Sequence, residues 1–400
     1  MTSPALAVQT IVLLLFLASL VAALIGYLKI PYTVGLVIAG VTLDGLGILP
    51  STTLNPNLVL WVLLPPLLFE AAFAIRWSTL RRVGVPVVVF ATLGVVVSGY
   101  VSALVVAYVL HLPMEVAVLF GVLVAATDPV AVVALFRDAT VPAGLRTFVE
   151  GESMLNDGSV VVLGRVLALF FLSGKISPGG VVGDFLTIAL GGLLIGILIG
   201  LVASFITRRI DDYLVETTLS VVVAYGSYTL AQDLGTSGVL AVVGAGIALG
   251  NIGRRFGMSD KTQEAIDLLW EFLAFVANSF VFLILGIAVV PRALLAILPS
   301  IAVGVLAAWL GRGVIVYGLG TILTRIVGRP KAAWRHVLFW GGLRGALPVV
   351  VAISLSTDLN LPADLTTLVL GVVVVSLLIQ GLTLEPVILW SLRVGTTRKE

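Results

Sequence analysis

Apolar residues run along this chain in blocks of about twenty or more, the length a helix needs to cross the hydrocarbon of a bilayer. Polar, Gly or Pro segments separate the blocks. Splitting at these interruptions predicts thirteen helices, near 5–28, 32–50, 57–75, 82–110, 113–136, 145–173, 180–206, 213–233, 237–251, 264–290, 298–323, 331–354 and 363–390. The expected fold class is therefore an all-α polytopic membrane protein. Three blocks carry breakers inside them. Pro65 and Pro66 kink the third. In AATDPVAV, Pro129 has no N–H and crowds the carbonyl of Ala125, so the fifth helix loosens around Thr127–Asp128. In WGGLRGALP, glycines and Pro348 interrupt the twelfth. The fifth and twelfth occupy corresponding places if helices 1–6 and 8–13 are inverted repeats, a construction in which broken helices meet at an ion site.

Basic residues test this division, because Lys and Arg stay on the cytoplasmic side of short loops. The odd-numbered connections and the C-terminal tail hold Lys29, Arg76, Arg81, Arg82, Arg137, Arg146, Arg208, Arg209, Arg254, Arg255, Lys261, Arg325, Arg329, Lys331, Arg335, Arg393, Arg398 and Lys399. The other side holds only Lys175 and Arg292. The N-terminus is thus expected outside and the C-terminus in the cytoplasm. The first block lacks a basic leader and reads as a span rather than a cleaved signal. Composition agrees: 60% of the residues are hydrophobic and 11% charged, no cysteine is present, and a net charge of +2 spread along the chain leaves no nucleic-acid groove.

The remaining basic residues, Arg165, Arg312 and Arg344, fall inside predicted spans, as do Asp44, Glu70, Asp128, Glu152 and Asp157. Charges placed there are costly and need partners. Counting from Arg146 at about 1.5 Å per residue, Asp157 lies roughly 16 Å into the membrane. An ionised carboxylate at that depth must be paired, hydrated or bound to a cation, and otherwise it takes up a proton. This is the requirement for an exchange site. Ser153 and Asp157 share a helix face at i, i+4, with Glu152 and Asn156 on the next stripe. Asp157, Asp128, Ser153 and Thr127 offer the hard oxygen ligands that suit an alkali cation, and Asn156 is placed to bridge to Thr127. Asp128, standing before Pro129, is equally a helix N-cap type. Ser153 and Thr127 are also able to satisfy local backbone groups. Arg344, mid-span, needs an anion, and Glu152 is assigned to it as a structural ion pair; Arg312 needs a carboxylate or carbonyl partner that the sequence does not name. Glu70 is a candidate for lining the approach to the site. Glu264, Asp267 and Glu271 read as acids favoured near a helix start.

Four motifs, LLPPLLFEAAF at 63–73, ATDPVAV at 126–132, EGESMLNDG at 150–158 and GGLRGALP at 341–348, resemble in order and spacing the NhaP/NHE family of Na+/H+ antiporters. The resemblance covers essentially the whole chain. It implies a cell-membrane homodimer in which a core (helices 4–6, residues 82–173, and 11–13, residues 298–400) moves against dimerisation helices (1–81 and 213–297), joined by helix 7 within 174–212. It further implies that Asp157 alternately carries H+ and Na+, that Asn156 is its partner, that Thr127, Asp128, Ser153 and Glu70 complete the Na+ site, and that Glu152 and Arg344 form the family's buried pair. The Asn-Asp dipeptide resembles the electroneutral branch. The short C-terminal tail resembles the prokaryotic members, and Arg165 has no counterpart in the family pattern. Transported Na+ and H+ are the expected partners, with the lipid bilayer; no cofactor is expected. A K+/H+ antiporter is the alternative within the fold. A cation channel is the alternative outside it, but no filter-like repeat is present. Enzyme activity is not expected, since HExxH, GxSxG and Walker A motifs are all missing.

Overall fold

The computed structural model describes residues 4–28, 30–47, 55–138, 141–173, 178–327, 334–359 and 363–396. Lys29, Lys175, Arg329, Lys331, Arg398 and Lys399, used above to orient the chain, lie outside them. The described chain is helical throughout: α1 (Pro4–Leu28), α2 (Tyr32–Gly45), α3 (Pro56–Leu58), α4 (Leu64–Ala74), α5 (Trp77–Val89), α6 (Val95–Leu110), α7 (Met114–Leu123), α8 (Val130–Asp138), α9 (Ala143–Ser173), α10 (Pro178–Thr207), α11 (Tyr213–Asp233), α12 (Gly238–Ala248), α13 (Arg254–Phe256), α14 (Asp260–Ile287), α15 (Pro291–Ala296), α16 (Leu298–Gly313), α17 (Gly320–Val327), α18 (Arg335–Trp340), α19 (Leu347–Leu359) and α20 (Ala363–Thr396). Four pairs are continuous through π-helical turns: α3–α4 at Val59–Leu63, α5–α6 at Phe90–Gly94, α12–α13 at Leu249–Gly253 and α16–α17 at Val314–Leu319.

Among the described residues, nine helical runs are long and apolar enough to cross a membrane, and Tyr32–Gly45, Met114–Leu123 and Leu347–Ser356 are shorter apolar helices. The 31-residue α9 has the length of a span and carries Glu152 and Asp157. The thirteen expected blocks thus appear in order, with two broken. Some boundaries shift. The tenth helix starts at Asp260 rather than near 264, because Ser259 accepts a hydrogen bond from the Thr262 amide and caps it. The short α15 occupies the connection before the eleventh, where none was expected.

The prolines of the third block are accommodated by the π turn that precedes them. Pro66 cannot donate to the carbonyl of Val62, one turn earlier. That carbonyl accepts instead from the Tyr225 hydroxyl, 2.9 Å away. Elsewhere small residues bring helix backbones together, as where α10 meets α12 so closely that a Cβ on Gly196 would fall 1.9 Å from the Ala241 carbonyl oxygen. Two packing groups result. One joins α6, α7, α9, α16, α19 and α20, and the other joins α1, α2, α4, α10, α11, α12 and α14. They meet partly at α9 and α12, where Gly158 faces Leu240. The π turns of the fourth and eleventh blocks touch each other, and the fifth and twelfth blocks are the broken ones, so irregularities recur at corresponding places in the two halves.

Candidate functional site

Breaking a helix inside a membrane leaves N–H and C=O groups without partners, and each must be satisfied locally because no bulk water reaches it. In the first break, α7 winds down through hydrogen bonds from the Val124, Ala125 and Ala126 amides and then gives way to non-helical chain up to Pro129. The residue before a proline avoids the α region, which reinforces the stop at Asp128. In the second, the amide of Gly341 donates to the Val337 carbonyl, and α19 resumes only at Leu347. The two breaks cross in contact: the Asp128 amide donates to the Leu343 carbonyl at 2.8 Å.

Side chains complete the satisfaction of these groups. Asp128 accepts from the Val130 amide at 2.8 Å, so it caps α8. Asn156 on α9 holds Thr127 from two sides, donating to its hydroxyl at 2.7 Å and accepting from its amide at 3.4 Å. The Thr127 and Ser153 hydroxyls are 3.2 Å apart. The bridge expected from Asn156 to Thr127 is therefore present, and Thr127, Ser153 and Asn156 form one buried group. Asp157 follows Ser153 by one turn of α9. It is half-buried, and among the described residues its carboxylate takes no hydrogen bond from the protein. Asp128 is its electrostatic neighbour. Glu70 is half-buried on α4, a helix that packs on α9. Arg165, about 12 Å further along α9 at the helical rise, is exposed rather than turned into this group.

The expected Glu152–Arg344 pair is corrected by the structure. Glu152 is 2% exposed and is held by both terminal nitrogens of Arg312, one contact measuring 2.9 Å. The same guanidinium also donates to the Leu338 carbonyl at 3.1 and 2.9 Å. Arg344, 1% exposed, donates instead to the carbonyls of Ala125 and Ala126 at 3.1 and 3.3 Å and of Ala308 at 3.0 Å. The reason is geometric. The freed carbonyls at the end of a broken helix carry the negative pole of its dipole, and Arg344, in one break, lies against the carbonyl end of the other. Each carbonyl end is thus covered by an arginine, α7 by Arg344 and α18 by Arg312. Two further residues were missed from the sequence. Ser376 on α20 accepts from the Arg344 amide, and Gln380, one turn on, donates to the Trp340 carbonyl at 3.0 Å. Their signal was a polar i, i+4 pair in the apolar middle of the helix, between Leu368 and Leu382.

The crossing depends on a missing side chain. A Cβ at Gly345 would lie 2.9 Å from the Asp128 Cβ and 3.1 Å from its Oδ2. We expect Gly345→Ala to push the breaks apart at a cost of about 1–3 kcal/mol for overpacking, read as a lower thermal midpoint in a protein that still elutes as a folded species by size-exclusion chromatography.

Comparison with known proteins bears on the same residues. The family model described as "Sodium/hydrogen exchanger, transmembrane" matches residues 12–390. The Na(+)/H(+) antiporter ApNhaP of Aphanothece halophytica is 40% identical over 363 residues, spanning 90% of this chain and 69% of that protein. This chain belongs to the sodium/hydrogen exchanger family. Another relative matches over nearly its full length: the Na(+)/H(+) antiporter NhaH of Halobacillus aidingensis is 34% identical, covering 94% of this chain and 96% of its own. The exchanger fold is also found in the solved sodium proton antiporter MjNhaP1 of Methanocaldococcus jannaschii, with a TM-score of 0.77 at 24% identity over 96% of this chain and 98% of that one. The chain is accordingly a multi-pass membrane protein of the exchanger fold.

Proposed function

We propose that this protein is a secondary antiporter that exchanges Na+ for H+, with the two ions competing for Asp157. The observation that carries this reading is a half-buried carboxylate with no hydrogen-bond donor from the described protein, one turn from the Thr127–Ser153 hydroxyl pair and beside two crossing helix breaks. Such a carboxylate is stabilised by water, a bound cation or a proton, and the last two exclude one another. The oxygen-rich surroundings suit an alkali ion, which is cargo here and not a resident metal. Thr127, Ser153, Asp128 and Glu70 supply further oxygens on this reading. Asn156 fixes Thr127, and the arginines hold the breaks that frame the site. No cofactor is required.

Alternating access follows if the group containing α6, α7, α9, α16, α19 and α20 moves against the other along the α9–α12 contact. That division corresponds to a core of residues 82–173 and 298–400 beside gate and dimerisation helices. The protein acts as a homodimer in the cell membrane on this reading, and the distribution of its basic residues suits an N-terminus outside and a C-terminus in the cytoplasm. A site loaded with either H+ or Na+ carries the same charge, so one-for-one exchange is electroneutral.

Purified protein in liposomes containing a pH-sensitive dye tests this. An imposed Na+ gradient should drive a saturable pH change of opposite sense, unaltered when valinomycin and K+ clamp the voltage. The Li+ and K+ arms define selectivity. Flux that fails to saturate would indicate a channel, and an absent pH response with every alkali cation would refute exchange.

A further inference from the structure

A cleft of about 480 Å³ opens where the ends of α10 and α13 meet the start of α14, lined by Arg208, Arg209, Asp211, Arg255, Phe256 and Ser259. Its cations are arranged in an unusual way. The guanidinium carbons of Arg208 and Arg255 both lie 5.0 Å from the centre of the Phe256 ring, and that of Arg209 lies 4.9 Å from the Phe205 ring. Each guanidinium is thus held over an aromatic ring by a cation–π contact, which leaves its N–H groups unused. Among the described residues, none of the three guanidinium groups pairs with a carboxylate or donates a hydrogen bond, whereas that of nearby Arg254 pairs with Asp267 and that of Arg146 pairs with Glu150. Asp211 is the one carboxylate among the lining residues. Like charges gathered in a concave site repel one another and raise the local concentration of anions.

The wall of the cleft is built, not loose. A Cβ on Gly257 would fall 2.5 Å from the Thr207 hydroxyl and 3.1 Å from the Arg208 amide, so the turn between α13 and α14 is seated directly on the end of α10. The amides of Gly257 and Met258 both donate to the Gly253 carbonyl and hold that turn.

What leads into the cleft points to its occupant. Leu198, Val202, Phe205 and Ile206 form an exposed apolar stripe on α10 at i, i+4, i+7 and i+8, and Arg209 prolongs it. From Leu198 to Arg209 the rise is about 16 Å, close to one leaflet of a roughly 30 Å hydrocarbon core. A soluble anion has no use for this stripe; an acyl chain does. We propose that the cleft binds the phosphate of an anionic phospholipid headgroup, with the lipid's acyl chains lying along the exposed face of α10. Arg208, Arg209 and Arg255 supply the charge-assisted hydrogen bonds to the phosphate oxygens. The site is separate from the ion site and does not depend on which ion is carried.

The test is the thermal midpoint of the purified full chain in neutral detergent, titrated with phosphatidylglycerol, phosphatidylcholine or inorganic phosphate, together with native mass spectrometry for retained lipid. Phosphatidylglycerol should raise the midpoint and remain bound, and the other two should not. Arg208→Gln/Arg255→Gln should weaken phosphatidylglycerol about thirtyfold, each basic residue near an anionic lipid surface being worth about fivefold. The control Arg81→Gln/Arg82→Gln, exposed on α5 away from the cleft, should leave that affinity unchanged. Equal response to phosphatidylcholine, full affinity in the cleft variant, or an inorganic phosphate effect as large as the lipid's would each overturn the proposal, the last by transferring the cleft to a soluble anion. If the double variant does not fold, Asp211→Asn provides the opposite test: removing the competing carboxylate should tighten phosphatidylglycerol, and an unchanged or weaker affinity overturns the site.

Discussion

Asp157→Asn should abolish Na+-driven pH change in proteoliposomes, reducing it to the level of protein-free vesicles, while the purified variant remains folded. Asparagine keeps the size of aspartate but neither takes up a proton nor carries the charge that a bare cation demands. Because the carboxylate makes no hydrogen bond to the described protein, its replacement breaks no structural contact. The loss should therefore be functional, with a thermal midpoint equal to or above that of wild type, since a half-buried carboxylate without a donor has been removed. Ser153→Ala should act differently. It removes one hydroxyl and leaves the carboxylate, so exchange persists with a higher apparent Km for Na+. A variant at 157 that still exchanged Na+ for H+ would move the ion site elsewhere.

The second large effect concerns stability. Arg312→Met strands the Glu152 carboxylate in the protein interior and uncovers the Leu338 carbonyl, so it should cost about 3–5 kcal/mol, as expected when one partner of a buried ion pair is removed. A sharp fall in thermal midpoint and in the yield of monodisperse protein would report it. Removing both charges, in Glu152→Gln/Arg312→Met, should recover part of the loss but not all, because the Leu338 carbonyl still lacks its two donors. A double-mutant cycle separates the pairing seen here from the one expected from the sequence. Glu152 should couple strongly to Arg312, by about 0.5–3 kcal/mol, and more weakly to Arg344, which it reaches only through space. Equal coupling to both would mean that the two guanidiniums share the carboxylate.

The sequence carried the fold because lipid permits so little: every apolar block long enough to span had to be a helix. Proline chemistry revealed the first break, and a glycine cluster the second. The group around Thr127 was legible because Asn156 and Ser153 are held by helical spacing within one element, leaving only one contact across elements to infer. The partner of Glu152 was not legible. Arg312 and Arg344 are both arginines in the middle of spans, and the choice between them rests on how α9 and α16 cross and on which carbonyls the breaks leave free. Neither quantity is encoded in spacing along one helix. The roles of Ser376 and Gln380 were hidden for the same reason, since a polar pair in a span signals a partner without saying which. Glu70 illustrates a further limit. Its motif placed it on the right helix, but its contribution to an ion path depends on the motion of the protein.

The pairing of Arg312 with Glu152 leaves Arg344 with carbonyl dipoles and no carboxylate in direct contact, so its charge must be offset from a distance. Glu152 and Arg312 cancel. Asp128, which caps α8, is the carboxylate of the breaks that offsets Arg344 when it is ionised, and in that state the charges around the breaks sum to zero whenever Asp157 carries either ion. Empty, the same region bears one uncompensated negative charge and would have to carry it through the membrane field. On the proposed exchange, the protein needs no separate gate against slippage: the energy of moving an unneutralised body across the bilayer is itself the lock.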